Sequence, residues 1–321
     1  MSKGRMNDII SRFGIFAVAI LLIPVGILVS DNFLSVSNIV NIFDAMSYLG
    51  ILACGMALVT YCGQLVDLST PSIAAVGGFV AVLTLDWGVL PMILMVILSG
   101  ALIGAVNGLV VGKFRINTVV WTLAVSFVLS GLIRVTFGSS TVYPTGGDTH
   151  FLEQISRYRL GGIVPISVVV LLLLYILVHI VVSSSVLGKK MKLVGCSATM
   201  AQFSGVNVSR VILFSFICSG IAAAVTGLFI ASLSKAACYN FGSGYEFDAI
   251  TAIVLSGMIL DGGKGSIAGV LGGVLTIGLL NNIMTLFGLN TFLQDVVTGA
   301  VFIIVVWATN YSARKFEAKN G

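Results

Sequence analysis

The side chains able to do chemistry are few and scattered. Five cysteines (Cys54, Cys62, Cys196, Cys218, Cys238) and two histidines (His150, His179) show neither C-x-x-C nor H-x-x-x-H spacing, so no metal site or disulfide framework is indicated. Cys54, Cys62 and Cys218 lie inside apolar runs, where a thiol behaves as a small hydrophobe. There is no Gly-x-x-x-x-Gly-Lys-Ser/Thr phosphate loop, no Gly-x-Ser-x-Gly elbow and no His-Glu pair of the metalloprotease type. The chain is therefore expected not to be an enzyme and to bind no cofactor of its own. Work done on a solute would draw on ATP hydrolysed by another chain, or on an ion gradient.

Polar residues embedded in apolar sequence are the second kind of candidate. Asn107 sits in Gly100-x-x-x-Gly104-x-x-x-Gly108, a spacing that puts small side chains on one helix face and lets backbones approach closely. Gly269, Gly273 and Gly278 lead up to Asn281-Asn282 in a similar way. An amide in hydrocarbon needs a partner, so these asparagines either bond across helices or line a hydrated path. Arg134 falls near the end of an apolar run, where its stem can snorkel to the headgroups. Glu246 and Asp248 open another run, and Asp295 begins the last; carboxylates there favour the positive end of a helix, so capping and solute contact both stay open. Asp67, Asn107, Arg134, Glu246, Asp248, Asn281 and Asn282 are the candidate translocation-path residues.

The elements that position them follow from composition. Of 321 residues, 58% are hydrophobic and 9% are charged, against roughly 25% charged in a soluble domain. A water-facing surface of this composition would aggregate, and a disordered chain would be charge-rich. A lipid bilayer must solvate most of the chain.

A helix needs ~20 apolar residues to cross a bilayer. Runs of about that length lie at 13–30, 45–62, 71–86, 91–112, 118–137, 164–183, 211–232, 246–260, 266–287 and 292–309. The expected fold is an all-α polytopic bundle of about ten spans in one permease domain, 1–321. The third and eighth runs are short and Gly-rich or broken by polar residues; they read as broken or re-entrant helices, with eight full crossings as the alternative. Lys3, Arg5 and Arg12 precede a run too long for a signal peptide, with no clear small-x-small cleavage site after it, so it reads as an uncleaved first span. With the N-terminus inside, 13 of the 17 basic residues fall on the inner side, which the positive-inside rule favours and which puts both termini in the cytoplasm. The net charge of +5 thus marks a membrane face, with no nucleic-acid partner expected.

Two polar segments interrupt the runs. The outer loop 138–163 faces the periplasm in this reading. The inner segment 184–210 is too long for a turn and carries Lys189, Lys190, Lys192 and Arg210. An internal repeat is also legible. Asp67-Leu-Ser-Thr-Pro-Ser-Ile-Ala-Ala-Val76 and Asp261-Gly-Gly-Lys-Gly-Ser-Ile-Ala-Gly-Val270 share Asp, Ser-Ile-Ala and Val at matching offsets. Both would start a Gly-rich span from the inner side. Transporters are often built from repeated halves, and chance similarity stands beside that reading.

Gly244-Tyr-Glu-Phe-Asp-Ala-Ile-Thr-Ala-Ile-Val-Leu-Ser-Gly257, followed by Gly262-Gly-Lys-Gly-Ser266, resembles the signature of ribose-type permease subunits of bacterial ABC importers. Gly55-Met56, Asp67-Leu68-Ser69, Asn107-Gly108, Thr122-Leu123 and Gly205-Val206-Asn207 extend the resemblance over almost the whole chain. It implies a multi-pass protein of the cell inner membrane that pairs with a second permease copy or paralogue. It also implies an ABC-type ATP-binding subunit inside and a periplasmic solute-binding protein outside. The inner segment would be the ATPase-coupling element, with Gly188, Lys190, Gly195, Ala201, Gly205, Val206 and Asn207 as its marked positions. The cargo implied is a monosaccharide or related polyhydroxylated solute, which amides and hydroxyls recognise without charges. An ion-coupled carrier is the rival reading; it would place ion-binding groups at mid-membrane, whereas most carboxylates here fall at the ends of the runs. Gly195-Cys196-Ser197 and Met200-Ala201 depart from the family's usual coupling-loop residues, as Pro71 and Ser130 do from its usual transmembrane ones.

Overall fold

A computed structural model describes residues 19–144, 149–260 and 262–320, with side chains at 149–151 and 308–320 left aside. Lys3, Arg5, Arg12, the start of the first run and Asp261 lie outside the described residues. In chain order the helices are α1 (Ala19–Val29), α2 (Val36–Tyr61), α3 (Thr70–Leu83), α4 (Val89–Phe114), α5 (Thr118–Phe137), α6 (Thr149–Arg157), α7 (Ile166–Ser184), α8 (Val186–Cys196), α9 (Ala198–Phe203), α10 (Val208–Ser234), α11 (Tyr245–Leu255), α12 (Ile267–Leu286) and α13 (Thr291–Asn320). Every one of the ten apolar runs contains a helix. Among the described residues six are long and apolar enough to cross a bilayer: α2, α4, α5, α7, α10 and α12. The fold is that of a polytopic helical membrane protein.

The helices start where the sequence offers a side-chain acceptor to their unpaired N–H groups. Ser35 caps α2, Asn117 caps α5, Ser185 caps α8, Ser197 caps α9, Asn207 caps α10 and Ser266 caps α12. α2 starts at Val36, nine residues before the apolar run suggested. Its extra turns carry Asn38, Asn41 and Asp44, whose side chains find polar partners or a cavity and so do not break the helix.

α2 is buried all round from Met46 to Cys62, as a helix apolar on every face must be. α10 packs beside it and against α4. There the small-residue spacing acts as expected: added Cβ atoms at Gly100, Gly104 and Gly108 would strike Gly220, Phe216 and Leu213 of α10. Gly100 and Gly220 face each other, each opposite the other's carbonyl oxygen.

Two helices fall short. α3 has 14 residues and α11 has 11, about 21 and 17 Å at 1.5 Å per residue, against a ~30 Å hydrocarbon core. Ser72 in the first turn of α3 bonds Ser126 and Ser130 of α5, and Ser126 lies near the middle of that helix. α3 thus begins at half depth. The third run is therefore a broken span: the chain leaves α2 at the end where Tyr61 meets Gly195 of α8, and α3 starts only at half depth. In the second repeat unit Ser266 caps the full-length α12, so the two units take different local structures.

Lys113 and Arg115 at the end of α4, Lys189, Lys190 and Lys192 of α8, and Lys264 beside Gly263 gather at one end of the bundle. Arg115, closing α4 in a left-handed conformation, donates to Gln202 of the α8–α9 segment. The inner segment is therefore two helices rather than a loop. At the opposite end, 138–163 holds α6 and β1 (Arg159–Leu160), which pairs antiparallel with β2 (Val164–Pro165) just beyond it, a small departure from an all-α chain. Leu152 of α6 is fully buried, its carbonyl accepting from Ser232 of α10. Glu153 pairs with Arg157 at 3.1 Å and Lys235 at 2.7 Å. Apolar anchoring holds this segment onto the bundle, which a purely solvated loop would not be.

Candidate functional site

The sequence Asp67-Leu68-Ser69 leaves the end of α2 and must be held before α3 can begin. Asp67 is fully buried. One carboxylate oxygen accepts from the Ser69 hydroxyl at 2.5 Å and the Ser69 N–H at 3.0 Å, and the other accepts from Ser219 of α10 at 3.1 Å. Asn107 of α4 donates to Ser69 at 2.9 Å and accepts from the Trp121 indole at 3.0 Å. Leu68 N–H donates to Thr122 of α5. Asp67 and Asn107 thus belong to one buried chain of hydrogen bonds tying α4, α5 and α10 to the start of α3. They line neither of the polar cavities described next. A buried carboxylate is tolerable only when so satisfied.

The connector after α10 returns into the bundle, where Gly242 lies against Pro71 and Ala74 of α3; its φ of +74° suits glycine. The N-termini of the two short helices therefore adjoin. Between them is a cavity of about 170 Å³ lined by Ser72, Ser126, Ser130, Arg134, Tyr239, Asn240, Ser243 and Glu246, among others. Ser126, Ser130 and Arg134 recur every fourth residue along α5, so they share one face. Arg134 lies 4.4 Å over the Tyr239 ring, an attraction of cation to π face. Glu246 keeps one carboxylate oxygen buried without a hydrogen-bond partner.

On the other side of α11 is a larger cavity, about 520 Å³, between α2 and α12. Asn38, Asn41, Asn281, Asn282, Asp248, Thr285 and Tyr245 line it together with apolar groups. Asn38 and Asn282 exchange hydrogen bonds, and Asn281 donates to Asp248 at 3.3 Å. Of the seven candidate path residues, the structure brings Asp248, Asn281 and Asn282 to this cavity, and Arg134 and Glu246 to the smaller one. Sequence reasoning missed Asn38, Asn41, Ser72, Ser126 and Tyr239, and singled out Ser130 only as a departure from the family pattern. The four-residue stripe of Ser126, Ser130 and Arg134 was the available signal; Asn38 and Asn41 lay outside the marked runs.

At the basic end, α8 packs by its glycines. An added Cβ at Gly188 would meet the Val181 and Val182 carbonyls, and one at Gly195 the Tyr61 carbonyl and Gly263. Cys196 Sγ lies 3.7 Å from the Gly263 carbonyl. The side chains of Lys190 and Gln202 are exposed, while Ala201 is buried. Gly205, at φ +76°, turns the chain out of α9; Val206 N–H bonds the Ala201 carbonyl and Asn207 caps α10. Met200 and Phe203 of α9 are 65% and 89% exposed.

Short helices whose N-termini adjoin beside a polar cavity, as α3 and α11 do, fit a membrane permease. The family model described as branched-chain amino acid transport system / permease component matches residues 38–306. The chain belongs to this family, as a ribose-type ABC importer permease. It is 30% identical to the ribose import permease protein RbsC of Haemophilus influenzae, over 98% of this chain and 99% of that one. It is 31% identical to RbsC of Escherichia coli strain K12, over 91% of both, and 29% identical to the L-arabinose ABC transporter permease protein AraH of Azospirillum brasilense, over 99% and 93%. No solved structure matches the chain.

Proposed function

We propose that this chain is the membrane-spanning subunit of an ABC importer in a bacterial inner membrane, carrying a monosaccharide or similar small polyhydroxylated solute inward. The observation that carries the reading is the meeting of the α3 and α11 N-termini beside a cavity rich in hydroxyl and amide groups. Such groups exchange hydrogen bonds with a neutral solute's hydroxyls and take up its desolvation cost. Relatives named for ribose and L-arabinose support a pentose-sized cargo.

In this reading the basic end faces the cytoplasm, both termini lie there, and the chain crosses about ten times, α3 and α11 being half-crossings completed by extended chain. The α6 end faces the periplasmic binding protein. ATP is bound and hydrolysed by a separate subunit seated on α8 and α9, with Met200 and Phe203 as its apolar footholds. Gly195 presses α8 onto the end of α2 and onto Gly263, beyond the foot of α11. A push on α9 thus reaches α11, and with it Glu246 and Asp248, through packed backbone. A second permease subunit completes the complex.

Gentle extraction of the tagged protein tests this. Recovery of a bound ATPase subunit, and loss of that subunit when Phe203 is changed to Glu, are expected. The first turn of α11 does hold two carboxylates within the bundle, which an ion-coupled carrier would also use. Uptake driven by an ion gradient, with no ATPase recovered, would replace the importer reading with that one.

A further inference from the structure

The end of the bundle that carries α6 holds a cavity that neither the polar sites nor the α8–α9 segment uses. About 470 Å³ in volume, it lies between α4, α7 and α10 and is bounded at the α6 end by Gln154, Ile155 and Tyr158. Its lining is apolar apart from Gln154 and Tyr158, so it offers a hydroxylated solute almost nothing to bond. Val89, Ile93 and Ile97 recur every fourth residue along α4 and make one continuous wall. Their neighbours Leu90, Leu94 and Leu98 are exposed, so the cavity borders the lipid and a chain can enter from the side.

The cavity is about as deep as one leaflet. α4 starts at Val89, and Ile97 lies about 12 Å further along it at 1.5 Å per residue. On α10, Val225 lies about 14 Å before the last residue, Ser234. Half of a ~30 Å hydrocarbon core is about 15 Å.

The mouth is positively charged. Arg157 and Lys235 share the Glu153 carboxylate, and Arg159 makes no ion pair among the described residues. Arg157 and Arg159 flank Tyr158, which is exposed, as are Leu160 and Ile163 after it. An exposed tyrosine among apolar groups sits at headgroup level, which puts both guanidinium groups at the depth of the lipid phosphates. This is the end opposite the main basic cluster, where the positive-inside rule disfavours cations; a bound anion offsets them.

We propose that this cavity is a binding site for one anionic phospholipid, with an acyl chain along Val89, Ile93 and Ile97 and the phosphate on Arg157 and Arg159. The occupant is a phospholipid because the apolar slot and its cationic mouth follow each other as a lipid's chain and headgroup do. The chain fills the space beneath α6 and ties α6 to α4 and α7 through contacts that a void would forfeit. The site needs only a membrane around the bundle and is independent of the importer reading.

Native mass spectrometry of the full chain in mild detergent tests this, with phosphatidylglycerol, phosphatidylcholine or glycerol 3-phosphate added at equal concentration. Phosphatidylglycerol is expected to be retained about tenfold more than phosphatidylcholine, and glycerol 3-phosphate not at all. Arg157→Gln with Arg159→Gln is expected to remove that preference. Ile93→Trp, which fills the cavity, is expected to lower retention of both lipids about tenfold. Equal retention of the two lipids by the unaltered protein overturns the proposal, as does undiminished retention by Ile93→Trp or retention of glycerol 3-phosphate as strong as that of the lipid. In case Ile93→Trp folds poorly, phosphatidylglycerol with a diazirine in its acyl chain is expected to label 89–97 and 166–170. Label spread evenly over the exposed faces of α4, α5 and α7 overturns the site.

Discussion

Asn38 at the start of α2 and Asn282 near the end of α12 exchange two amide hydrogen bonds, 3.1 and 2.9 Å long, across 244 residues of sequence. The pair closes one side of the larger cavity. Asn282→Ala leaves the Asn38 amide short of its partner, a loss of about 1–3 kcal/mol. Thermal unfolding in detergent should show it, and the double variant with Asn38→Ala should lose less than the two single losses added together.

Asp67 is expected to matter for building the site rather than for touching solute. Asp67→Ala strips acceptors from Ser69 and Ser219 at once and frees the start of α3. The protein should lose about 3 kcal/mol, with uptake falling in proportion to folded protein. A variant of normal stability that nonetheless has no uptake would instead assign Asp67 to the path.

Much of this was legible in the sequence, for reasons that differ by element. The Gly100, Gly104 and Gly108 spacing announced the α4–α10 contact because close backbone approach needs small residues wherever it occurs. The short third and eighth runs announced half-helices because length alone decides whether a helix can cross. The depth at which α3 starts was not legible: it depends on hydrogen bonds from Ser72 to Ser126 and Ser130, and on the Asp67 chain, all made across the fold. Asn38 and Asn41 were hidden because a run of hydropathy breaks at asparagine, whereas Asn282 on α12 pairs with Asn38 and the cavity receives Asn41, so the helix runs on. The α6 anchor rests on the burial of Leu152, with Ile155 packed beside the core, two apolar residues in a mostly polar segment.

The contact between Gly100 and Gly220 gives a packing prediction. Gly220→Ala puts a methyl onto the Gly100 carbonyl, so α4 and α10 must separate, at a cost of about 1–3 kcal/mol. The check is again thermal unfolding, with Gly100→Ala expected to behave alike because the contact is reciprocal.

Coupling is expected to be separable from folding at α9. Phe203→Ala removes an exposed side chain, so unfolding should be unchanged, while solute-dependent ATP hydrolysis by the assembled importer falls about tenfold. Gly195→Val should lower both stability and coupling, since its side chain would wedge α8 off Tyr61 and Gly263.

The central claim is ATP-driven import of a small polyhydroxylated solute, and uptake into vesicles tests it most directly. Vesicles holding this chain with its ATPase subunit, ATP inside and the binding protein outside, are offered labelled ribose, L-arabinose, xylose or leucine. The account predicts ATP-dependent accumulation of at least one pentose and none of leucine. Accumulation of leucine alone, or accumulation of a sugar without ATP on an imposed ion gradient, would contradict it.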